Sequence, residues 1–241
     1  MYPVICTFGA LTVYSYGLML VIGFGLATWL ACRRARSQGI NPEVVFNLAF
    51  GLFIAGIAGA RLFYVAENFS YYFREPLEIF MLQKGGLSWF GGMISGVFFG
   101  FFYIRRLRLA PYPVIDLIIP FAALAQAIGR IGCLLNGCCY GPPSDYGIYF
   151  AAHGQALIPT QIYSSLLLLA IYIILRFFQE RPHRPGGIFS LYLALYSLKR
   201  FFIEFWRAEH APVFMGLTLF QILSTGVFLL ALMQFILVRR K

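Results

Sequence analysis

Charged side chains are scarce in this sequence. Only 12% of the 241 residues are charged, whereas 60% are hydrophobic, and soluble domains are about a quarter charged. A soluble core of this length cannot hide so much apolar side chain, so the composition argues against a soluble domain and indicates a polytopic membrane protein. The first ten residues, MYPVICTFGA, lack the basic residues of a cleavable signal peptide, so we expect the first hydrophobic segment to remain as a membrane helix.

Cysteine and histidine are few, and their spacing indicates no ordinary metal site. The five cysteines contain no CxxC pair, which argues against a disulfide scaffold, and the three histidines have no second ligand at a useful spacing. We therefore predict no metal and no cofactor. Two interpretations of Cys133, Cys138 and Cys139 stay open. One is a metal site or a strained disulfide; the other, which we favour, is small, weakly polar side chains that fill a loop near the membrane interface.

Long hydrophobic runs account for most of the chain. A spanning helix needs about 20 mostly apolar residues, and seven segments meet this requirement: 12–32, 44–65, 86–104, 114–135, 160–178, 186–206 and 216–238. Short polar or proline-bearing stretches separate them, no soluble domain fits between them, and no internal repeat is visible. We predict an all-α protein that forms one helical membrane domain, residues 1–241.

The basic residues mark one side of the membrane. Twelve of the nineteen follow segments one, three, five and seven, whereas the opposite loops hold only Arg74 and Lys84. Because cytoplasmic loops are rich in Lys and Arg, we predict seven transmembrane helices with the N-terminus outside and the C-terminus in the cytoplasm. The net charge of +10 is then a topology signal, and we predict no nucleic-acid partner.

Five basic residues do not fit this pattern, because they fall inside or at the edge of a predicted span: Arg61, Arg130, Lys199, Arg200 and Arg207. Ionisable residues are costly in a membrane and usually mark a functional site. Arg200, Glu204 and Arg207 have the spacing of residues on one helix face, so Glu204 can pair with either arginine. An ion pair that fixes helix packing would by itself account for these three residues. One glutamate cannot neutralise four arginines, however. We therefore predict an anion site in the outer leaflet, where the abundant anion is a phospholipid headgroup.

Six motifs in chain order resemble those of the bacterial prolipoprotein diacylglyceryl transferases. They are YSYGLML (14–20), GARLFYV (59–65), KGGLSWFGG (84–92), GRIGCLLNGCCYG (129–141), IPTQIYS (158–164) and YSLKRFFIEFWR (196–207). The resemblance implies seven membrane helices in the bacterial inner membrane. It also implies transfer of the diacylglyceryl group of phosphatidylglycerol to the thiol of a lipobox cysteine in a preprolipoprotein, with release of glycerol phosphate. The partners are then phosphatidylglycerol, the membrane lipid and the preprolipoprotein signal peptide, which the aromatic outer loops receive.

The resemblance also implies which residues form the site. We expect Arg130 to bind the lipid phosphate and Arg200 to stabilise the charge that develops on the departing phosphate, with Tyr16 in the polar lining. The predicted catalytic residues are Arg200, Arg130 and Tyr16. The predicted substrate-binding residues are Arg130, Asn136, Gly129, Gly141, Arg61, Glu204, Arg207, Gln161 and Tyr163.

Five positions depart from the family pattern. Cys133 stands where the family often has Asn, Cys138 where it has Glu, Ile158 where it has His and Ser164 where it has Glu. Phe90 occupies a position where some members have a histidine implicated in catalysis. These departures motivate an alternative, a divergent paralogue that binds phospholipid but has an altered substrate or no transferase activity. A solute channel would need a polar stripe through both leaflets, and the inner halves of the segments are apolar.

Overall fold

Helices joined by short connections and hairpins make up the computed structural model, which describes residues 2–8, 11–81, 85–207 and 212–240. The described helices are α1 (Ser15–Ser37), α2 (Pro42–Glu67), α3 (Phe69–Tyr72), α4 (Trp89–Arg106), α5 (Pro111–Asn136), α6 (Thr160–Gln179), α7 (Gly187–Glu204) and α8 (Leu219–Arg240), with a 3-10 helix at Pro76–Phe80. Antiparallel hairpins pair β1 (Val4–Phe8) with β2 (Leu11–Tyr14), β3 (Pro143–Phe150) with β4 (Gln155–Leu157), and β5 (Pro212–Phe214) with β6 (Leu217–Thr218). Lys84, one of the two basic residues counted in the outer loops, lies outside the described residues.

Seven of the described helices have 18 or more residues, and they follow the order of the seven predicted segments. Five are long and apolar enough to cross a bilayer: α1, α2, α5, α6 and the Leu219–Leu237 part of α8. The other two, α4 and α7, have 18 residues each, which is about 27 Å of helix. Two arginines end α4, and α7 carries Lys199, Arg200 and Glu204. The protein is a mostly helical, multi-pass membrane protein, and the count of seven spans stays a prediction.

The chain forms two compact units, residues 1–31 with 115–241, and residues 32–114. In the smaller unit, α2 and α4 pack closely through two glycines. A Cβ atom added to Gly91 would lie 2.4 Å from the carbonyl oxygen of Gly59, and one added to Gly59 would lie 2.7 Å from the carbonyl oxygen of Gly91. Small residues at such a crossing let two backbones approach in a membrane. The prediction of a single domain stays untested.

In the larger unit, α5 packs against α1, α6 and α7. It meets α1 at Gly132, where an added Cβ would lie 3.0 Å from the Cβ of Met19 and 3.3 Å from the Cα of Tyr16. A buried apolar cluster joins α5 to α6 and α7: Ala123, Ile171, Leu175, Ile188 and Tyr192. This packing fixes the three helices that carry most of the predicted site residues.

Buried Asp116 of α5 fixes the start of α7. Its carboxylate accepts hydrogen bonds from the backbone N–H groups of Gly186 (2.5 Å) and Phe189 (2.7 Å). The first N–H groups of a helix have no acceptor within the helix, so a carboxylate there satisfies them and suits the helix dipole. Gln179, at the end of α6, donates to the carbonyl oxygens of Asp116 (2.8 Å) and Leu117 (3.0 Å). These hydrogen bonds join the N-terminal part of α5, the end of α6 and the start of α7.

The far end of α7 differs from the sequence-based expectation. The helix ends at Glu204, and the next residues continue as a tight turn. The N–H groups of Trp206 and Arg207 donate to the carbonyl oxygens of Ile203 and Glu204, at 3.0 and 3.2 Å. These are three-residue bonds of the 3-10 type, which often close a helix. The prediction that Arg207 shares a face of the same helix with Arg200 is therefore wrong, because the helix has already ended.

Candidate active site

Arg130 lies near the end of α5 and is half-buried. Within the described ranges of the chain, it makes no hydrogen bond and no ion pair. A guanidinium inside an apolar helix normally pairs with an acid or with backbone carbonyls. Arg130 is therefore a cation whose five N–H donors are available to a bound anion.

Arg200 is arranged differently, because it has a carboxylate partner. Its guanidinium lies 3.1 Å from an oxygen of Glu204, the i, i+4 ion pair that the spacing allows. The side chain of Glu204 is fully buried, and its other oxygen accepts a hydrogen bond from the hydroxyl of Thr218 at 3.1 Å. The guanidinium also lies over the ring of Phe220, 4.5 Å from the centroid. These contacts hold Arg200 in one orientation.

Thr218 links this ion pair to the start of α8. Its hydroxyl accepts a hydrogen bond from the N–H of Gln221 at 3.3 Å, and its own N–H donates to the side chain of Gln221 at 2.9 Å. This reciprocal pair is a capping box. The helix cap therefore fixes the hydroxyl that holds Glu204.

Lys199 is a further buried cation; it is one of the five basic residues that fall within the predicted spans, but it is not among the predicted catalytic or substrate-binding residues. Its ammonium donates to the hydroxyl of Ser164 at 3.1 Å and lies 4.7 Å from the ring centroid of Tyr196. In the part of the chain that the structure describes, no carboxylate pairs with it. Ser164 stands where the family motif has Glu, so this position offers Lys199 a neutral partner.

The cations of the larger unit lie near enough to act on one another. The charges of Arg130, Arg200 and Arg207 all act on Lys199, and those of Arg207 and Arg130 also act on Arg200. We call Arg130, Lys199, Arg200 and Arg207 the cation cluster. Among the described residues, Glu204 is the carboxylate that acts on Arg200, and one glutamate offsets only part of the charge of the four cations.

The turn 137–141 follows α5 and is tightly braced. Cys139 has φ of 66°, a left-handed conformation that non-glycine residues rarely adopt. The hydroxyl of Thr160 donates to the carbonyl of Cys139 at 2.6 Å, and the side-chain nitrogen of Gln161 donates to that of Cys138 at 2.7 Å. The other polar atom of the Gln161 side chain, Oε1, is buried and has no hydrogen-bond partner among the described residues. Asn136, the last residue of α5, is exposed.

Gly141 ends this turn at a close approach to Trp206. A Cβ atom on Gly141 would lie 2.4 Å from the carbonyl oxygen of Trp206, so no larger residue fits without movement. Gly129 is different, since its nearest neighbour would be a methyl of Leu20 at 3.7 Å, an ordinary contact. Beside Gly141 lies a cleft of about 370 Å³, lined by Ile158, Tyr163 and Trp206.

Tyr16 lies in the first turn of α1, where its ring packs against Gly132. Its hydroxyl is within electrostatic reach of Arg130 and of the three cysteines near the end of α5. Tyr16 therefore belongs to the same region of the larger unit as the cation cluster. With 39% of its surface exposed, it can contact a ligand that approaches this region.

Arg61 belongs to the smaller unit, where it organises the connection between α2 and α4. It is buried, and it donates to the backbone carbonyls of Glu78, Ile79, Met81, Gly85 and Gly86 at 2.5 to 3.4 Å. Every nitrogen of its guanidinium thus has a protein acceptor. This is a structural task that the sequence analysis missed, and the predicted role of Arg61 in headgroup binding stays a prediction.

Three cysteines meet where α5 joins the turn 137–141. The sulfur atoms of Cys133, Cys138 and Cys139 all lie within 4.8 Å of one another. Hydrogen bonds from the thiols of Cys133 and Cys138 lower the pKa of the Cys139 thiol, and the positive charges of Arg207 and Arg130 lower it further. The thiol cluster, as we call these three residues, therefore adjoins the cation cluster.

Comparison with known proteins identifies the family of this chain. The profile of the family described as prolipoprotein diacylglyceryl transferase matches residues 3–237. The phosphatidylglycerol–prolipoprotein diacylglyceryl transferases of Enterococcus faecalis and Geobacter sulfurreducens are each 34% identical to this chain, over 95% and 99% of it and 87% and 96% of their own lengths. The enzyme of that name from Clostridium tetani is 33% identical over 87% of this chain and 86% of its own. The similarity runs through both compact units, and the chain therefore belongs to the prolipoprotein diacylglyceryl transferase family.

Proposed function

We propose that this protein transfers the diacylglyceryl group of phosphatidylglycerol to the lipobox cysteine of a preprolipoprotein, and that the cation cluster binds the phosphate of the donor lipid. Membership of the family supports the reaction and its setting in the bacterial cytoplasmic membrane. The observation that carries the site is Arg130, a half-buried guanidinium without a protein partner among the described residues, beside three further cations and one acid.

The reaction exchanges one bond for another at a carbon of the lipid. The cysteine sulfur forms a bond to the glyceryl carbon that carries the phosphate, and the carbon–oxygen bond to that phosphate breaks. The electron pair leaves with the phosphate oxygen, so a phosphodiester with one negative charge becomes a glycerol phosphate with up to two. The thiol proton is lost to the leaving phosphate or to water. Negative charge on the phosphate thus increases as the reaction proceeds.

The cation cluster suits this increase in charge. The planar fork of Arg130 matches two phosphate oxygens and holds the donor lipid. Arg200, already fixed by Glu204 and Phe220, stabilises the oxygen that departs. Groups that are fixed before the reaction and aimed at developing charge accelerate it more than groups that bind substrate and transition state equally. We infer that Lys199 and Arg207 add to the same field.

The acceptor thiol needs to become a thiolate, because only the thiolate is a strong nucleophile. A histidine base is absent from position 90, where Phe90 is 56% exposed and contacts Trp89 edge to face. We propose that the cation cluster stabilises the incoming thiolate electrostatically, while the thiol proton goes to the leaving phosphate or to water. The hydroxyl of Tyr16 then donates a hydrogen bond to the phosphate.

The neutral parts of the donor lipid have separate positions. The glycerol headgroup carries hydroxyl donors, and the unpartnered Oε1 of buried Gln161 is an acceptor for one of them. The apolar cleft beside Gly141, lined by Ile158, Tyr163 and Trp206, suits the glyceryl backbone and the first acyl carbons. Exposed Asn136 is available to the headgroup at the edge of the site.

The proposed topology has seven spans, the N-terminus outside and the C-terminus in the cytoplasm. The order of elements supports it, because the described hairpins, the short helix α3 and the 3-10 helix occur only before α1 or after α2, α5 and α7. The other connections, 38–41, 107–110 and 180–186, are short. With this topology, the turn 137–141 faces the side from which a secreted preprolipoprotein arrives.

The alternative is a paralogue that binds phosphatidylglycerol without transferring its diacylglyceryl group. Cys138 and Ser164 favour it, because both stand where the family motif has a glutamate. Under this alternative the cation cluster is a binding site only, and no thioether forms.

The deciding experiment measures transfer of labelled diacylglyceryl from phosphatidylglycerol to a lipobox peptide in detergent micelles. We expect Arg130→Ala and Arg200→Ala each to lower kcat/KM by about 10²-fold or more, since each removes a charged donor to the phosphate. The matched control is Arg176→Ala, which changes an arginine in the last turn of α6 that pairs with Glu180 just after the helix and should keep full activity. A folded wild-type protein that binds the lipid and transfers nothing would establish the paralogue instead.

A further inference from the structure

The thiol cluster has a compact geometry that the transferase reaction does not use. The acceptor thiol of the reaction comes from the preprolipoprotein, so no cysteine of this chain is needed. Yet the sulfur atoms of Cys133, Cys138 and Cys139 lie within 4.8 Å of one another, and all three residues are buried or half-buried. Among the described residues there is no disulfide.

This spacing fits three ligands on one ion. When three thiolates bind a metal at about 2.3 Å in a trigonal plane, their sulfur atoms lie about 4.0 Å apart. A disulfide requires about 2.0 Å between two sulfur atoms, and it would leave the third thiol unused. The three sulfur atoms therefore need only a small adjustment to meet around one metal ion.

The backbone that carries these thiols is fixed before any ion binds. The N–H of Cys138 donates to the carbonyl of Cys133 at 3.1 Å, which closes the end of α5. Thr160 and Gln161 hold the carbonyls of Cys139 and Cys138, as described above. Outer groups that orient the ligands in this way raise the affinity of metal sites.

Backbone strain at Cys139 also indicates that the turn is shaped for a binding site. The left-handed conformation of Cys139 costs energy for a residue with a side chain, and such outliers persist where a site requires them. The ring of His153 supports the turn from outside, since its Nε2 hydrogen-bonds to the carbonyl of Gly137 at 3.2 Å and its ring packs against that of Tyr140 at a tilt of 54°. The left-handed residue brings the sulfur of Cys139 toward Cys133 and Cys138.

We propose that Cys133, Cys138 and Cys139 form a three-coordinate site for a soft, thiophilic metal ion, Cu(I). Thiolates select soft ions. Zn²⁺ prefers four ligands, and within the described residues the cluster contains no fourth histidine, cysteine or carboxylate. Three thiolates and Cu(I) carry two net negative charges, and the positive charges of Arg207 and Arg130, which act on Cys139, favour such a site.

Metal titration tests the site without any need for transferase activity. Reduced protein in detergent is titrated anaerobically with Cu(I) in competition with a colorimetric Cu(I) chelator. We expect one Cu(I) per chain, with the affinity lowered by about tenfold or more in each of Cys133→Ser, Cys138→Ser and Cys139→Ser. The matched controls Cys6→Ser and Cys32→Ser change cysteines outside the cluster and should bind like the wild type.

A second measurement uses only the wild-type protein, so it does not depend on how the variants fold. X-ray absorption of the Cu(I)-loaded protein should show three sulfur atoms and no nitrogen or oxygen in the first shell. Unchanged Cu(I) affinity in the three cluster variants would overturn the site. Tighter binding of Zn²⁺ than of Cu(I), with a fourth non-sulfur ligand, would overturn the assignment of the ion.

Discussion

Single residues of the cation cluster differ in what neutralises them. Arg200 has Glu204, Lys199 has only a hydroxyl and an aromatic ring, and Arg130 has no described partner. A buried charge without an opposite charge is unfavourable for folding, because desolvation is not compensated. Such residues are expected where function needs them, and the energy is recovered when the anion binds.

A substitution of Lys199 can test whether its buried charge lowers stability and raises transfer activity. Lys199→Met keeps the length and removes the charge, so we expect unchanged or higher thermal stability in detergent. We also expect kcat/KM for diacylglyceryl transfer to fall about tenfold, less than the loss of about 10²-fold or more for a direct phosphate donor. Ser164→Ala is the control, since it removes the hydroxyl partner and leaves the charge. Full transfer activity in Lys199→Met would remove Lys199 from the site.

The sequence predicts the cations and, from the i, i+4 spacing, the ion pair of Arg200 with Glu204, but it does not predict the partners of Lys199 and Arg61. Arg61, Arg130, Lys199 and Arg200 are recognisable because each interrupts an apolar run. The Lys199–Ser164 contact joins residues 35 positions apart on different helices, so it depends on how α6 packs against α7. The carbonyls that surround Arg61 likewise come from an irregular connection that no periodicity describes.

The helices themselves are easier to predict than their ends. Long apolar runs locate the seven long helices to within a few residues, because burial in lipid demands continuous backbone hydrogen bonding. Their ends depend on caps, which are tertiary contacts. The cap of α7 is Asp116, 70 residues before Gly186 in the sequence, and the spacing of Arg200, Glu204 and Arg207 gave no sign that α7 ends before Arg207.

This cap should have a measurable effect on stability. We expect Asp116→Ala to lower the free energy of unfolding by about 1–3 kcal/mol, because it leaves two N–H groups at the start of α7 without acceptors. Asp116→Asn should cost less, since its amide oxygen still accepts one of them. Thermal unfolding in detergent gives the comparison, with Asp145→Ala as control, because Asp145 is exposed. Equal unfolding temperatures for the Asp116 and Asp145 variants would rule out the cap.

The membrane topology of the whole molecule depends on the two short helices, α4 and α7. If both cross the membrane, the connections 107–110 and 180–186 are cytoplasmic; if neither crosses, both lie outside, and the turn 137–141 faces the cytoplasm. Arg105, Arg106 and Arg108 favour the first arrangement, as do Arg181 and Arg184, because basic residues are retained in the cytoplasm. Only the first arrangement gives an exported preprolipoprotein access to the cation cluster.

Reporter fusions distinguish the two arrangements. A fluorescent protein that folds in the cytoplasm and a phosphatase that is active only outside are each fused after Leu109, Asp145 and His183. Seven spans predict fluorescence at Leu109 and His183 and phosphatase activity at Asp145, whereas five spans predict the reverse at all three positions. Because both arrangements leave the two ends of the chain on opposite sides, only these internal positions can decide. The reverse pattern would also refute the proposed function, since the acceptor thiol and the donor phosphate could then not meet from the outside.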